Sequence, residues 1–451
     1  MFDADRYFDR RALLRRGAMG LGALWSLSLE PFMARRAQGA GIRSPYGAIG
    51  PKLDETTGLP LLRLPDGFRY QSFSWTGDRI ADNVICPGLH DGMAVIEADK
   101  SSGRVILVRN HEQLSGAPYV QKPSITFAND ASGGTTNLEF DTKNGRWIKA
   151  WPSLAGTVRN CAGGVTPWGT WISGEETGDA GHGWAFEVGP EAGDPAPLVA
   201  MGRFRHEAMM VDPATGVVYE TEDEGASGFY KFVPHERAKL KEGGALFMLR
   251  VKGQPNFDFG SVSNVGAKWD VQWVRIEDPS AKARSTYLQG ASAPNFGARF
   301  RRLEGCWWGN HTGYFISTNG GAEGEGQIFE YDPRDETIKL IYVSPGADDL
   351  DNPDNVTVTP RGSLLLCENA AGDQVFGERL VGLTLDGNTF TFAQNNILLR
   401  QSYNSRVGIG DYRNQEWAGA CFSPDGQWLF VNIQNPGVTF AITGPWHVGP
   451  L

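Results

Sequence analysis

Residues 161–173 read CAGGVTPWGTWIS. A marked residue, Cys161, is followed six positions later by a Pro/Gly turn and then by a short apolar run, the layout of a β-hairpin. The layout returns as EAMMVDPATGVVYET from Glu207, DNVTVTPRGSLLLC from Asp354 and AGACFSPDGQWLFV from Ala418. Looser copies are DGMAVIEADKSSGRVILV from Asp91 and EGCWWGNHTGYFIST from Glu304. Repetition on this scale means that one supersecondary unit is stacked, because a lone hairpin cannot bury its apolar face. The marked residues are 70, 46, 97, 50 and 64 positions apart. A four-stranded blade takes about 40–50 residues, so the longer intervals carry insertions. The pattern predicts an all-β fold, a six-bladed β-propeller with ligands converging on the central channel. The 33 residues after Ala418 are too few for a blade. The stretch PDGFRYQSFSWTG, residues 65–77, is therefore expected to supply the missing outer strand.

With 451 residues, 41% of them hydrophobic, the chain has ample core for one large closed domain, expected over 41–451. The formal net charge of −10 argues against nucleic acid as a partner and suits a protein that gathers cations. Residues 1–40 read as a twin-arginine signal peptide: Arg10, Arg11, Arg15 and Arg16 precede a short apolar run, and AQGA at 37–40 resembles a cleavage region. Glu30 and Pro31 cut that run to about half of the roughly 20 apolar residues a membrane span needs, so no stable membrane anchor is expected. The expected partner in export is the twin-arginine (Tat) machinery, the location periplasmic or secreted, and the protein a monomer. Five cysteines allow disulfides but leave at least one free thiol. Cys306, Cys367 and Cys421 sit in apolar strand runs and read as core packing, whereas Cys161 stands among the marked residues.

Down the marked column the residues are Asp91, Cys161, Glu207, Glu304, Asp354 and Ala418. Residues two apart on a strand share a face. Two positions earlier stand Leu89, Arg159, Arg205, Arg302, Asn352 and Glu416, so three successive repeats set an arginine beside the marked residue. Past each apolar run lies a second polar set: Asn110, His111 and Glu112; Glu175 and Glu176; Glu222 and Asp223; Asn319; Glu368 and Asn369; Asn432 and Gln434. Carboxylates crowded into a low-dielectric channel stay ionised only beside cations. Oxygen donors suit several Ca2+ ions, while one thiolate among them points to a more thiophilic ion, iron or zinc. Planar guanidinium groups match phosphate oxygens, which predicts a phosphate-ester site where metal ions activate an oxygen nucleophile. A calcium-dependent propeller lactonase-like hydrolase and a non-catalytic exported binding propeller are the alternatives.

The segments NCAGGVTPWGTWISGEE, RFRHEAMMVDPATGVVYETEDEGASGFYKF, RRLEGCWW and EWAGACFSPDGQWLFVNIQNPGVTFAITGPW resemble the PhoX-type alkaline phosphatase family. The resemblance runs from about residue 60 to the C-terminus. It implies a twin-arginine-exported propeller that holds a pair of Fe3+ ions and several Ca2+ ions and hydrolyses small phosphate esters, phosphomonoesters. Carried over to this chain, it makes Cys161, Glu207 and Glu304 iron ligands. Asn110, Glu112, Glu175 and Glu176 become calcium or bridging positions. Asp91, Asp354 and Glu222 complete the expected metal set. Arg302 is the first expected phosphate-binding catalytic residue, with Arg159 and Arg205 behind it.

Overall fold

The computed structural model describes residues 41–282, 284–369 and 377–451, and the expected export signal at 1–40 lies outside them. The all-β expectation holds. Among the described residues the single α-helix is Ser285–Ala291, and no helix is long and apolar enough to cross a membrane. Each repeat found in the sequence forms an antiparallel hairpin. The six leading strands are His90–Asp99, Asn160–Val165, His206–Val211, Leu303–Gly309, Pro353–Val358 and Trp417–Phe422. Each packs beside the next, and the last packs beside the first, so they line a closed ring.

Outward from the ring, further strands extend each hairpin. The first unit has four strands, ending at Arg146–Thr157, and the second has three, ending at Ala185–Val188. The third and fourth units share one nine-stranded sheet, because Lys268–Arg275 pairs with Thr337–Val343 across their outer edges. The fifth carries two extra N-terminal strands, Leu62–Pro65 and Ile49–Lys52. In the sixth, the outermost strand is Arg69–Phe73, paired with Val438–Thr443 from Thr439↔Phe73 to Thr443↔Arg69. Arg69–Phe73, which precedes the first unit in the chain, thus completes the sheet of the last.

Apolar side chains fill the spaces between neighbouring units rather than one central core. Leu107 and Leu138 meet Cys421 and Phe430 between the first and sixth. Met210 and Phe229 meet Cys306 and Phe315 between the third and fourth. Leu365 and Cys367 meet Trp417 and Val431 between the fifth and sixth. Cys306, Cys367 and Cys421 are therefore packing residues. All five cysteines are buried and free, so no disulfide joins them.

Every leading strand carries a bulge, where three of its residues span two of its partner's. In the first five, the slip falls on the marked residue and its successor: between His90 and Met93, Asn160 and Gly163, His206 and Met209, Leu303 and Cys306, Pro353 and Val356. In the sixth it comes one residue later, between Ala418 and Cys421, and Ala418 stays in the ladder opposite Asn432. The residue after the marked one is small in five units, Gly92, Ala162, Ala208, Gly305 and Gly419, and Asn355 in the other; the three glycines face the neighbouring strand at close range. A Cβ on Gly92 would stand 2.5 Å from the Cα of Ala162. Gly92→Ala is expected to cost about 1–3 kcal/mol of stability through overpacking, read as a lower urea midpoint with an unchanged m-value.

Candidate metal centre

The bulges turn the marked side chains into the channel, and one repeated backbone bond fixes what surrounds them. In all six units, the residue just past the second strand donates its N–H to the carbonyl of the residue two before the mark. The pairs are Glu112–Leu89, Glu176–Arg159, Asp223–Arg205, Thr318–Arg302, Asn369–Asn352 and Gln434–Glu416, at 2.9–3.2 Å. Four of these acceptors adopt left-handed backbone: Leu89 (φ 49°), Arg159 (φ 49°), Arg302 (φ 42°) and Asn352 (φ 39°). Positive φ at non-glycine residues is uncommon, and a recurring outlier of this kind gathers at functional sites. Two layers result. The marked residues form the floor, and the two flanking columns form a rim above it.

The floor holds Asp91, Cys161, Glu207, Glu304 and Asp354, all buried. The Cys161 thiol donates to Asp91 Oδ2 at 3.5 Å. Both oxygens of Glu207 and Oδ1 of Asp91 are buried without a hydrogen-bond partner. Three overlapping sets bring their donor atoms within 4.8 Å of one another: Asp91, Glu112 and Cys161; Cys161, Glu176 and Glu207; Glu207, Glu304 and Asp354. Asn355 and Asn369 donate to the two oxygens of Asp354 at 2.5 and 3.0 Å.

On the rim, acids and arginines alternate. Arg159 binds Glu112 (2.6 Å) and Glu176 (2.7 Å), and Arg205 binds Glu176 (2.5 Å). Arg302 forks onto Asp223 (2.8 and 3.0 Å) and reaches Glu304 (2.7 Å). All three arginines direct Nε and Nη2 at these carboxylates. Gln434 donates to Glu112 (2.7 Å), Glu416 (3.1 Å) and Asp91 (3.4 Å). Eight carboxylates and a thiol therefore gather with three guanidinium groups, and a ninth carboxylate, Glu224, stands 4.0 Å from Arg205 Nη1. Burial lifts the carboxyls of Asp91, Glu207, Glu304 and Glu416 well above their ordinary range, and the neighbouring acids push further. Glu176 rises to about 7, mainly through burial, with Arg159 pulling back. Burial and then Asp91 and Glu207 raise the Cys161 thiol. Such a surplus of like groups, with lone pairs that no donor meets, has the donor chemistry of a cation cluster.

Three expected ligands lie elsewhere. The Asn110 amide is filled by protein: it donates to the carbonyls of Cys161 and Ala162 and accepts from Trp171 and Ser173. Glu175 accepts from Val158 N (2.8 Å), His182 Nδ1 (2.7 Å), Gly183 N (2.8 Å) and Trp184 N (3.1 Å). Glu222 accepts from Gly228 N and Tyr230 Oη, each at 2.8 Å, with Arg284 beside it. For Glu175 and Glu222 strand alternation is the reason, whereas Asn110 is taken up by the bulge carbonyls of the neighbouring unit. Of each adjacent pair, the first acid points outward and staples the neighbouring loops, as Glu368 also does for Asp351 N and Arg379. The second acid points to the channel. Asp223 thus takes the place expected for Glu222, and Glu416 contributes a carboxyl where Ala418 has none. Both stand in the columns of the sequence, and a strict period of two through the strand end finds Asp223.

Behind the first unit, Cys86, His90 and His111 also bring ligand atoms together. The fully buried Arg109 donates to Cys86 Sγ at 3.2 Å, so that group already houses a cation and is a poor host for another.

The family model described as alkaline phosphatase PhoX matches residues 44–151 and 136–437. Pseudomonas fluorescens PhoX in complex with vanadate, a transition state analogue, is similar in structure: the TM-score is 0.62 at 18% identity, covering 88% of this chain and 98% of that one. At that identity the likeness is one of fold. A Bacteroides thetaiotaomicron protein of unknown function matches at TM-score 0.42 and 11% identity, over 83% of this chain and 76% of its own. Streptogramin B lyase matches at TM-score 0.40 and 10% identity, over 84% and 98%. Neither of these two carries weight for function. Comparison with curated proteins finds no match.

The outward and inward acids separate experimentally. Glu175→Gln sets an amide against four donors and is expected to cost about 1–3 kcal/mol while metal content is kept. Glu207→Gln is expected to lose metal and leave the metal-free protein as stable as before or more so, read by thermal melting with elemental analysis. A second expectation concerns pH. The raised carboxyls hold more protons in the folded, metal-free chain than in the unfolded one, so their contribution to stability is full in acid and is lost as pH rises from the ordinary carboxylate range through about 7 at Glu176. Chelated protein should therefore melt higher at pH 5 than at pH 8, with added metal removing the difference.

Proposed function

The chain belongs to the family of PhoX alkaline phosphatases and is a metal-dependent phosphoric monoester hydrolase; from that premise we propose how its channel performs the reaction. The observation that carries the reading is the eight-to-three excess of carboxylates over guanidinium groups, with a thiol among them and the Glu207 oxygens free of any donor. We read the six hairpin-led units as six propeller blades, which is what brings residues as distant in sequence as Asp91 and Asp354 into one ring.

Cys161, Glu207, Glu304 and Asp354 would hold the thiophilic ions, a pair of Fe3+, with Cys161 and Glu207 each shared between two neighbouring donor sets. The all-oxygen side, Asp91, Glu112, Glu416 and Gln434, would hold Ca2+, as would the acids of the rim. When bound, these ions cancel the negative charge of the ring and supply Lewis acidity toward a phosphoryl group. The chain's own residues supply orientation. Arg159, Arg205 and Arg302 occupy three consecutive units on one half of the rim. Carboxylates fix each at Nε and Nη2, which leaves the Nη1 protons of Arg159 and Arg302 for the non-bridging oxygens of a phosphate, while Arg205 Nη1 also faces Glu224 at 4.0 Å. Their positions are set before substrate arrives, so little reorganisation is needed as charge builds in the transition state.

The other half of the rim, Leu89, Asn352 and Glu416, has no cation among the described residues and is where the ester's alcohol would leave. Export through the twin-arginine pathway fits a protein that takes up its ions while folding and crosses the membrane folded. The Cys161→Ala variant is expected to lose iron and p-nitrophenyl phosphatase activity together, turnover by at least about 100-fold, with iron counted by elemental analysis of exported protein. A variant that keeps full turnover refutes the iron assignment.

A further inference from the structure

Each bulge leaves backbone groups of its marked residue outside the strand ladder. In the second unit, Asn160 pairs with Glu175 and Gly163 with Ser173, so Cys161 and Ala162 have no partner residue across the hairpin. Their carbonyls are met from the neighbouring unit. The Asn110 amide, fully buried, donates to Cys161 O at 3.1 Å and to Ala162 O at 2.7 Å. Its own oxygen is held by Trp171 Nε1 at 3.0 Å and Ser173 Oγ at 2.9 Å, so the amide cannot turn without losing bonds on both sides.

The same device recurs one junction back. Asp91 lies in the bulge between His90 and Met93. Its carbonyl accepts from Asn432 Nδ2 of the sixth unit at 2.6 Å, and Asn432 Oδ1 in turn accepts from Thr439 at 2.6 Å. Asn110 and Asn432 hold equivalent positions: each stands two residues before the rim residue of its unit, Glu112 and Gln434. The third bulge is served differently, by Thr221 of its own hairpin on Ala208. The sixth bulge is held by a neighbour's asparagine through its N–H, Gly419 N donating to Asn355 Oδ1 at 2.8 Å; among the described residues, the two bulges whose carbonyls are latched by a neighbour's asparagine are those whose marked side chains, Asp91 and Cys161, meet at 3.5 Å.

We propose that Asn110 and Asn432 are positioning residues that set the Asp91–Cys161 pair for metal by fixing the bulge carbonyls beneath them. This rests on the reading that Cys161 ligates metal. A ligand's supporting hydrogen bonds govern its aim, and their loss commonly weakens metal binding about 10- to 100-fold. Neither asparagine touches the ion itself, which distinguishes them from the acids of the ring.

The test compares wild type, Asn110→Asp and Asn110→Ala, with Asn432→Ala in parallel. Each is loaded with iron and calcium and followed by thiolate-to-iron absorption in the visible, by metal titration and by melting of the metal-free form. Wild type should show the absorption band; if it does not, the ligation reading itself fails. Given the band, Asn110→Asp, which turns a carboxylate toward two carbonyls, should shift or lose it and weaken iron binding by at least 10-fold. Asn110→Ala should do the same without the added charge. Folded variants with an unchanged band and affinity overturn the proposal. So does a result in which both Asn110 variants fail to fold, since the amide would then hold the seam between units as a whole rather than aim the thiol. Asn432→Ala should weaken metal binding while leaving the circular dichroism spectrum unchanged; unaltered affinity there removes Asn432 from the assignment.

Discussion

Mutual repulsion among buried carboxyls is the constraint on which the rest of the structure depends. Asp91, Glu207, Glu304 and Asp354 are buried in one channel with the half-buried Glu416 beside them, and burial first and the neighbouring acids second raise their proton affinity. A chain does not gain stability by such an arrangement; burying one unpaired carboxylate is already costly. The inter-unit cores must hold the ring against this force until cations neutralise it. Stability and metal binding are consequently one property here, and the fold is loaded toward its ligands.

Two backbone devices turn that load into a site. The bulges rotate the marked side chains inward, and the sixfold bond from the rim residue to the left-handed residue before the mark ties rim to floor. The arginines that expectation treated as a bare anion clamp are half of an alternating ribbon with Glu112, Glu176, Asp223 and Glu304. The ribbon keeps the guanidinium groups rigid at Nε and Nη2. Fixed cations of this kind suit a developing phosphoryl charge better than mobile ones.

Much of the site was legible in the chain because repetition converts sequence position into spatial position. Asp91, Cys161, Glu207, Glu304 and Asp354 fall in one column, and they are the floor. The strand ends were less legible. Adjacent polar residues such as Glu175 and Glu176 look alike in sequence, yet one staples a loop and the other meets an arginine. Asn110 looked like a ligand and is a latch, because only the neighbouring unit shows where its amide goes. The sixth unit was legible in part: Ala418 marked an absent ligand, while its bulge, one residue later, was not visible in any pattern of residue types.

By itself the sequence determined the all-β class, the repeat, the marked column and the thiol within it, since hairpin periodicity and turn chemistry are local. Tertiary structure alone decided which acid of each pair enters the channel, that Glu416 takes the place Ala418 leaves, and that Asn110 serves Cys161. Those outcomes depend on bulge position and on contacts between units far apart in the chain. Local patterning carries no record of either.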